Sequence, residues 1–578
     1  MFYQKPAQVE PTGGDHGRQI LNSDYSIIIF SININYYRSM SANTPRTVSP
    51  AILKSIVRDG GEFALLDVRE EGVHARGHPL FAVPVPLSRL EFLLSRIVPR
   101  RGTRIVVCDD AEGLAERAAV ELARFGYTDV AVLAGGVPAW RSAGFELFIG
   151  TNVPSKIFGE HVEHVYGTPS ITATELKTML DRDDDVVILD SRPWDEYRVQ
   201  NIPGGISLPG AELAYRARDA IPSPNTFVVV NCAGRTRSIV GAQTLINAGI
   251  PNRVAALRNG TMGWHLAGFK LERGADRRAP AASTATRQAA PAAAQRAAER
   301  FGVRVVGADT LAVWRAEIEE RSLYLLDVRS PEEYEAGHPA GSISAPGGQL
   351  VQATDNYVGT RNARLVLIDD VGVRAVFVAS WMQQLGFRDT VVLRDIRTAG
   401  PIEIGMPPAP VLGLDAARVD AITAAELAAL MERDKAVVID LARSLNYRAG
   451  HIPGAWFAIR ARLMSSIKKI PRAPLVVLTS EDGRLARLAA SEVTRLVEAP
   501  VRVLDGGTAA WRARDLPLAQ DDERMADEPD DVYLRPYHLG ENQRQDLMRA
   551  YLEWEFQLLE QLERDGDLTF ASPPRATD

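Results

Sequence analysis

Cysteine is nearly absent from this 578-residue chain. Cys108 and Cys232 are the only two, too few for a disulfide framework, and the pair suits a reducing compartment in which a thiol stays reactive. An excess of one charge is missing too. Interspersed basic and acidic residues, 66 against 73, give a formal net charge of −7, which leaves no footprint for nucleic acid. Long hydrophobic runs are lacking. The apolar stretch at residues 26–32 is short, follows Asp24 and has no small-residue cleavage site, so neither a signal peptide nor a membrane span is expected. Nucleotide-phosphate loops of the Gly-x-x-x-x-Gly-Lys-Ser/Thr kind and Cys/His clusters for zinc do not occur, so neither cofactor nor metal is expected.

What the chain does have is repetition. Four apolar runs end in Asp67, Asp190, Asp327 and Asp440, and an arginine follows each one (Arg69, Arg192, Arg329, Arg443). A turn closing on proline comes next in every copy, at Pro79, Pro203, Pro339 and Pro453. A second run then ends at a loop position 42 residues after the aspartate in three copies (Asp109, Cys232, Asp369) and 40 residues after it in the fourth (Ser480). A Gly-containing corner leads to Trp140, Trp264 and Trp511; the third copy lacks it and has Gly400 where the tryptophan would fall. Short apolar runs alternating with helical periodicity predict an α/β fold with a mainly parallel sheet whose loops at the strand carboxyl ends form the site. Repeats at intervals of more than a hundred residues are whole domains, not solenoid units.

The second copy carries the chemistry. Val228-Val229-Val230-Asn231 leads into Cys232-Ala233-Gly234-Arg235-Thr236-Arg237-Ser238, and an apolar helical period follows. Strand, loop and helix start in that order make an anion site: loop amides and the positive end of the helix point at the sulfur, and Arg235 and Arg237 add charge. The alternative, an inert core thiol, leaves two adjacent arginines without a reason.

This loop resembles the active site of the rhodanese (thiosulfate sulfurtransferase) family, in which the loop cysteine takes a sulfane sulfur, becomes a persulfide and passes the sulfur to a nucleophile. Cell-cycle phosphatases of the same fold place five residues between cysteine and arginine; here Arg237 follows Cys232 after four, which favours sulfur over phosphate. The resemblance implies four tandem rhodanese-like domains, each a mainly parallel sheet flanked by helices, plus a C-terminal helical tail. The expected boundaries are 46–150, 160–272 (catalytic), 301–405 and 415–518. A poorly ordered extension is expected at 1–45, with Met40 a possible alternative start. A flexible or partly helical Ala/Arg/Pro linker is expected at 273–300, and an acidic hinge with an amphipathic helix at 519–578.

Cys232 is the expected nucleophile, with Ala233, Gly234, Arg235, Thr236, Arg237, Ser238 and Arg192 binding substrate. Arg237 is the first choice for the donor anion and Arg235 the second, unless one ties the loop to a carboxylate. Arg192 either faces the cleft or belongs to a structural ion pair shared by the copies, and Asp190, which also recurs, is expected to fix the loop. Trp194, Tyr197, Met262, Trp264 and His265 either line the mouth or are core. Asp109, Asp369 and Ser480 leave the other three copies without a sulfur nucleophile, and Cys108, one residue early, is expected to be structural. The loop lacks the Cys-Gly-Ser-Gly of mercaptopyruvate enzymes, so thiosulfate is the expected donor, with cyanide or a thiol, or an acceptor protein, as the second substrate. Other expectations are a cytoplasmic location, no nucleic acid or membrane partner, and a C-terminal stripe (Leu547, Tyr551, Trp554, Leu558, Leu559, Leu562) packed on a domain face or a second subunit. A persulfide carrier with little turnover is the alternative to an enzyme.

Overall fold

In the second copy the run 227–231, with three successive valines at its centre, is buried on both faces, which suits the centre of a parallel sheet covered by helices on each side. The strands of this copy are β1 (Ser170–Ile171), β2 (Val186–Asp190), β3 (Ile206–Ser207), β4 (Phe227–Asn231) and β5 (Val254–Leu257). They pair in parallel in the order β1-β5-β4-β2-β3, and the same order recurs in three further five-stranded sheets. The computed structural model describes residues 45–538 and 540–571; the expectation of a poorly ordered extension falls almost wholly outside them. All four sheets lie in one body that begins at Thr47.

Register aligns the copies. Asp190 pairs with Asn231, Asp67 with Cys108, Asp327 with Ile368 and Asp440 with Thr479. Cys232, Asp109, Asp369 and Ser480 are therefore equivalent, and Cys108 sits at the place of Asn231. It lies in the apolar core, where burial drives its thiol well above the usual range.

Three helices position the second copy's site: α1 (Val153–Tyr166), α2 (Thr236–Asn247) and α5 (Glu541–Asp565); between them in sequence come α3 (Thr284–Phe301), which follows the second copy, and α4 (Val373–Gln384) of the third. Helix α1 reaches α2 closely at Gly159, where a Cβ would stand 2.9 Å from the Cα of Thr236. The stretch expected to be a flexible or partly helical linker is helical over Thr284–Phe301. Ser283 caps α3, whose Ala290, Ala294 and Ala297 are buried. Alanine at this spacing lets α3 lie close against α4, so the small residues that suggested a tether make a packing face. The second and third copies also meet at Gly210 and Gly348 (virtual Cβ of Gly348 to the Gly210 Cα, 3.0 Å) and through a 2.9 Å hydrogen bond from the Trp381 indole to Thr244.

Among the described residues no helix is long and apolar enough to cross a membrane.

Candidate active site

The loop 232–238 starts where β4 ends and turns directly into α2. Its carbonyls are held from behind: the N–H of Thr261 donates to Cys232 O (2.9 Å) and that of Met262 to Ala233 O (3.0 Å). Gly260 permits this approach, since its φ is +53° and a Cβ there would stand 2.3 Å from Cys232 O. With the carbonyls turned outward the amides are left to face the other way. Among the described residues, the N–H groups of residues 233–238 donate to no protein acceptor. The Cys232 Sγ, 2% exposed, lies 3.5 Å from the Ser238 Oγ, which donates to Arg235 O at 2.8 Å. Unpartnered amide donors at a helix start, in a loop that opens on a thiol, suit an anion cradle.

The sister loops show what that cradle accepts. In the first copy Asp109 folds its own carboxylate into it, accepting from the N–H groups of Ala111, Gly113 and Ala115 at 2.9, 3.0 and 3.1 Å. In the third copy Asp369 accepts from Arg374 N (2.9 Å) and Ala375 N (3.3 Å) and from the Arg374 side chain (3.0 Å). In the fourth, Ser480 Oγ accepts from Ala486 N at 3.4 Å. Two copies thus turn a carboxyl group of their own onto the loop amides where the second has a thiol.

The two loop arginines divide their roles. Arg235 grips α1, donating to Glu160 (2.7 Å from both Nε and Nη2) and to Glu163, with Phe556 stacked 4.1 Å away. Burial opposes its charge and these carboxylates outweigh burial; this is the loop-tying role that the sequence offered as the alternative to donor binding. Arg237 donates to Glu196 (3.0 and 2.7 Å) and to the amide oxygen of Gln349 from the third copy (3.0 Å). In spite of burial, Arg237 holds the Glu196 carboxyl down to about 2, and the field of Cys232 is among those that keep Arg237 charged. The third copy's equivalent, Arg374, is surrounded by four carboxylates: Asp369, Asp370, Glu333 and Glu212. Glu212 stands where Gln349 stands in the mirrored arrangement, so the arginine beside the thiol faces one carboxylate and a neutral amide.

Arg192 makes the structural ion pair that the sequence left open beside a cleft-facing role. It clamps Asp190 (2.9 and 2.7 Å) and the Gln200 carbonyl (2.6 Å), and Asn231 donates to the same aspartate at 2.8 Å. Arg69 and Arg329 repeat the clamp on Asp67 and Asp327. The fourth copy departs from it because Ala442 occupies the clamp position. Arg443, one residue later, points to Glu71, and buried Asp440 accepts from Ala442 N at 2.9 Å; burial raises that carboxyl to about 7. The strand-end pair is a brace for the loop, which explains its presence in copies without a nucleophile.

A family model for the rhodanese-like domain matches residues 49–143, 172–267, 310–395 and 423–514. The chain belongs to the rhodanese family. A crystal structure of thiosulfate sulfurtransferase from Pseudomonas aeruginosa is 48% identical to it with a TM-score of 0.88, covering 91% of this chain and 100% of that one. Two curated relatives match shorter stretches. One is the Bacillus subtilis (strain 168) protein named "Putative sulfur carrier protein YrkF", 30% identical over 135 residues, which are 21% of this chain and 71% of the relative. The other is YibN of Escherichia coli (strain K12), 31% identical over 107 residues, 18% of this chain and 74% of the relative.

Helix α5 lies beyond the four rhodanese-like segments and packs on the active loop of the second. A Cβ on Gly234 would stand 3.4 Å from Tyr551, 3.5 Å from the Glu555 carboxylate and 4.0 Å from Leu552. Met548, Leu552 and Met262 form a small apolar cluster with Ala233 and Tyr537 beside it. The buried register of α5 is Met548, Leu552, Glu555, Leu558 and Leu562, and Leu547 of the expected stripe is exposed. Lys156 of α1 sits in the fields of both Cys232 and Glu555, and burial lowers its ammonium to about 8. Sequence periodicity predicted the helix but not its seat, and neither Lys156 nor Glu555 belongs to any motif. Of the five aromatic and neighbouring candidates, Met262 lies beside the loop. Tyr197 and Trp264 are core, tied to the carbonyls of Gly205 and Lys270. Trp194 stacks on Arg278 at 3.7 Å, and His265 meets Glu541 at 2.9 Å.

Proposed function

We propose that the protein is a sulfurtransferase working through a persulfide on Cys232. The observation that carries this reading is the set of unpartnered amides in the loop that opens on Cys232, in a chain whose first and third copies occupy the equivalent amides with their own carboxylates. Thiosulfate enters as a dianion. The Cys232 thiolate attacks its outer sulfur, a new S–S bond forms, the old one breaks, and sulfite leaves with the bonding pair. The persulfide anion then rests among the amides of residues 233–238, which need no reorganisation to hold it. Arg237 draws the donor's charge. Attack by cyanide or a thiol on the outer sulfur returns the thiolate, so one difficult transfer becomes two. The name of the P. aeruginosa relative supports thiosulfate as donor, and a free reactive thiol fits the cytoplasm.

The first, third and fourth copies serve this reading as non-catalytic supports, the third by giving Gln349 to Arg237. A second reading, a persulfide carrier with little turnover, is favoured by the burial of Cys232 under α5.

Incubation of the protein with thiosulfate, followed by peptide mass spectrometry, should add about 32 Da, one sulfur, to the peptide containing Cys232 and nothing in Cys232→Ser. Sustained thiocyanate formation from thiosulfate and cyanide supports the enzyme, and one equivalent of sulfur without turnover supports the carrier. An unmodified Cys232 refutes both.

A further inference from the structure

The persulfide reading uses neither Glu555 nor the apolar cluster beside it. Glu555 is 1% exposed; one carboxylate oxygen accepts from the Tyr551 hydroxyl at 2.9 Å, and the other, among the described residues, has no partner. That second oxygen is the one 3.5 Å from a Cβ at Gly234, on the rim of the active loop. A buried carboxylate with a vacant lone pair is unfavourable unless something uses it. Arg235, the nearest loop cation, already grips Glu160 and Glu163.

The two half-reactions differ in what they ask of such a group. Sulfur uptake from thiosulfate moves no proton, and a carboxylate near a dianionic donor only repels it. Delivery to a thiol requires the S–H proton to be removed, because the thiolate is the nucleophile. Met262, Met548 and Leu552 supply an apolar wall beside the carboxylate, suited to the carbon skeleton of an organic thiol.

We propose that Glu555, contributed by the C-terminal helix, is the general base when the acceptor is a thiol. The inference rests on the persulfide reading above. In the step, the S–H proton passes to the Glu555 carboxylate. The sulfur attacks the outer sulfur of the Cys232 persulfide, the S–S bond to Cys232 breaks, and Cys232 leaves as a thiolate among the loop amides. The acceptor departs as a persulfide anion, and Glu555 returns its proton to solvent.

The titration of Glu555 suits the role. Burial raises its carboxyl to about 7, opposed by Lys156, Tyr551 and Arg235 and reinforced by Glu160; Tyr533 shares the same field. A base near neutral pH is the one that general-base catalysis favours.

The test uses the full chain loaded with sulfane sulfur and mixed in single turnover with 2-mercaptoethanol or with sulfite at a pH where sulfite is a dianion and has no proton to lose. In Glu555→Gln the ratio of thiol rate to sulfite rate is expected to fall about 10²-fold, at the low end of general-base effects. A wild-type ratio in the variant overturns the assignment. The wild-type enzyme gives an independent reading. Its thiol transfer should rise through pH 7 and then level off, and a rise that simply follows thiolate concentration overturns the base. Sulfur on Cys232 with an unchanged ratio refutes Glu555 alone, whereas absence of sulfur on wild-type Cys232 refutes the persulfide reading and the base together.

Discussion

Substituting Gly260 by alanine tests whether the loop's geometry, and not its residue types alone, creates the site. The new Cβ would stand 2.3 Å from Cys232 O at a backbone φ of +53°. The left-handed conformation costs about 1–2 kcal/mol for a residue other than glycine. Relief of the clash moves the carbonyl and weakens the bonds from Thr261 N and Met262 N, each worth about 1 kcal/mol. The sum is about 3–4 kcal/mol of local stability. A loop displaced by about 1 Å should also lower sulfur uptake about 10²-fold.

The chain contains its own controls. Gly136 and Gly507 have φ of +58° and +62°, and a Cβ on them would stand 2.3 Å from Asp109 O and 2.2 Å from Ser480 O. The same amide-to-carbonyl bonds hold those loops, from Val137 N at 2.8 Å and Thr508 N at 2.9 Å. Alanine at all three sites should therefore lower the urea midpoint by similar amounts, followed by the fluorescence of Trp140, Trp264 and Trp511, which are buried in the three corners. Midpoints are the quantity to compare, since a chain of several units need not unfold in two states. Only Gly260→Ala should impair persulfide formation at Cys232. Loss of sulfur uptake in Gly136→Ala comparable to that in Gly260→Ala, or a wild-type rate in Gly260→Ala, would refute the reasoning.

Two further outcomes are expected. Gln349→Glu places a carboxylate against Arg237, as Glu212 does against Arg374; a unit charge ~6 Å from the donor at an effective dielectric constant of ~20 is worth about 3 kcal/mol. Steady-state kinetics should show the thiosulfate KM raised at least about tenfold, with kcat changing less and with Gln349→Leu near wild type; an unchanged KM in Gln349→Glu removes Arg237 from donor binding. Asp440→Asn concerns stability. The Asp440 carboxyl is raised by burial to about 7, so its contribution is intact below the unfolded carboxyl range and is lost as pH rises from about 4 to 7. The variant should gain stability over wild type by on the order of a few kcal/mol between pH 5 and pH 8; melting curves at the two values check it, and a constant difference contradicts the assignment.

The fourfold repeat, the strand-loop-helix order around Cys232 and the absence of a thiol at Asp109, Asp369 and Ser480 were legible in the sequence, because strand length, turn residues and loop spacing are local. Local pattern also predicted a C-terminal helix. Residues 273–300 left a flexible and a partly helical reading open for a related reason: alanine suits a tether and a close helix face equally, and only the presence of α4 decides which. Arg192 and Arg443 looked alike by position, yet one residue of offset sends the first to Asp190 and the second to Glu71. The sequence by itself determined which unit has a cysteine at the loop position and which have an aspartate or a serine there; that the two aspartates turn their carboxylates onto the loop amides is a structural result. Tertiary structure alone decided that Gln349 of a neighbouring unit neutralises nothing at Arg237, that Arg235 belongs to α1, and that Glu555 stands at the loop more than three hundred residues from Cys232 in the chain. Such pairings carry no periodicity or motif, since they arise where separately folded surfaces meet.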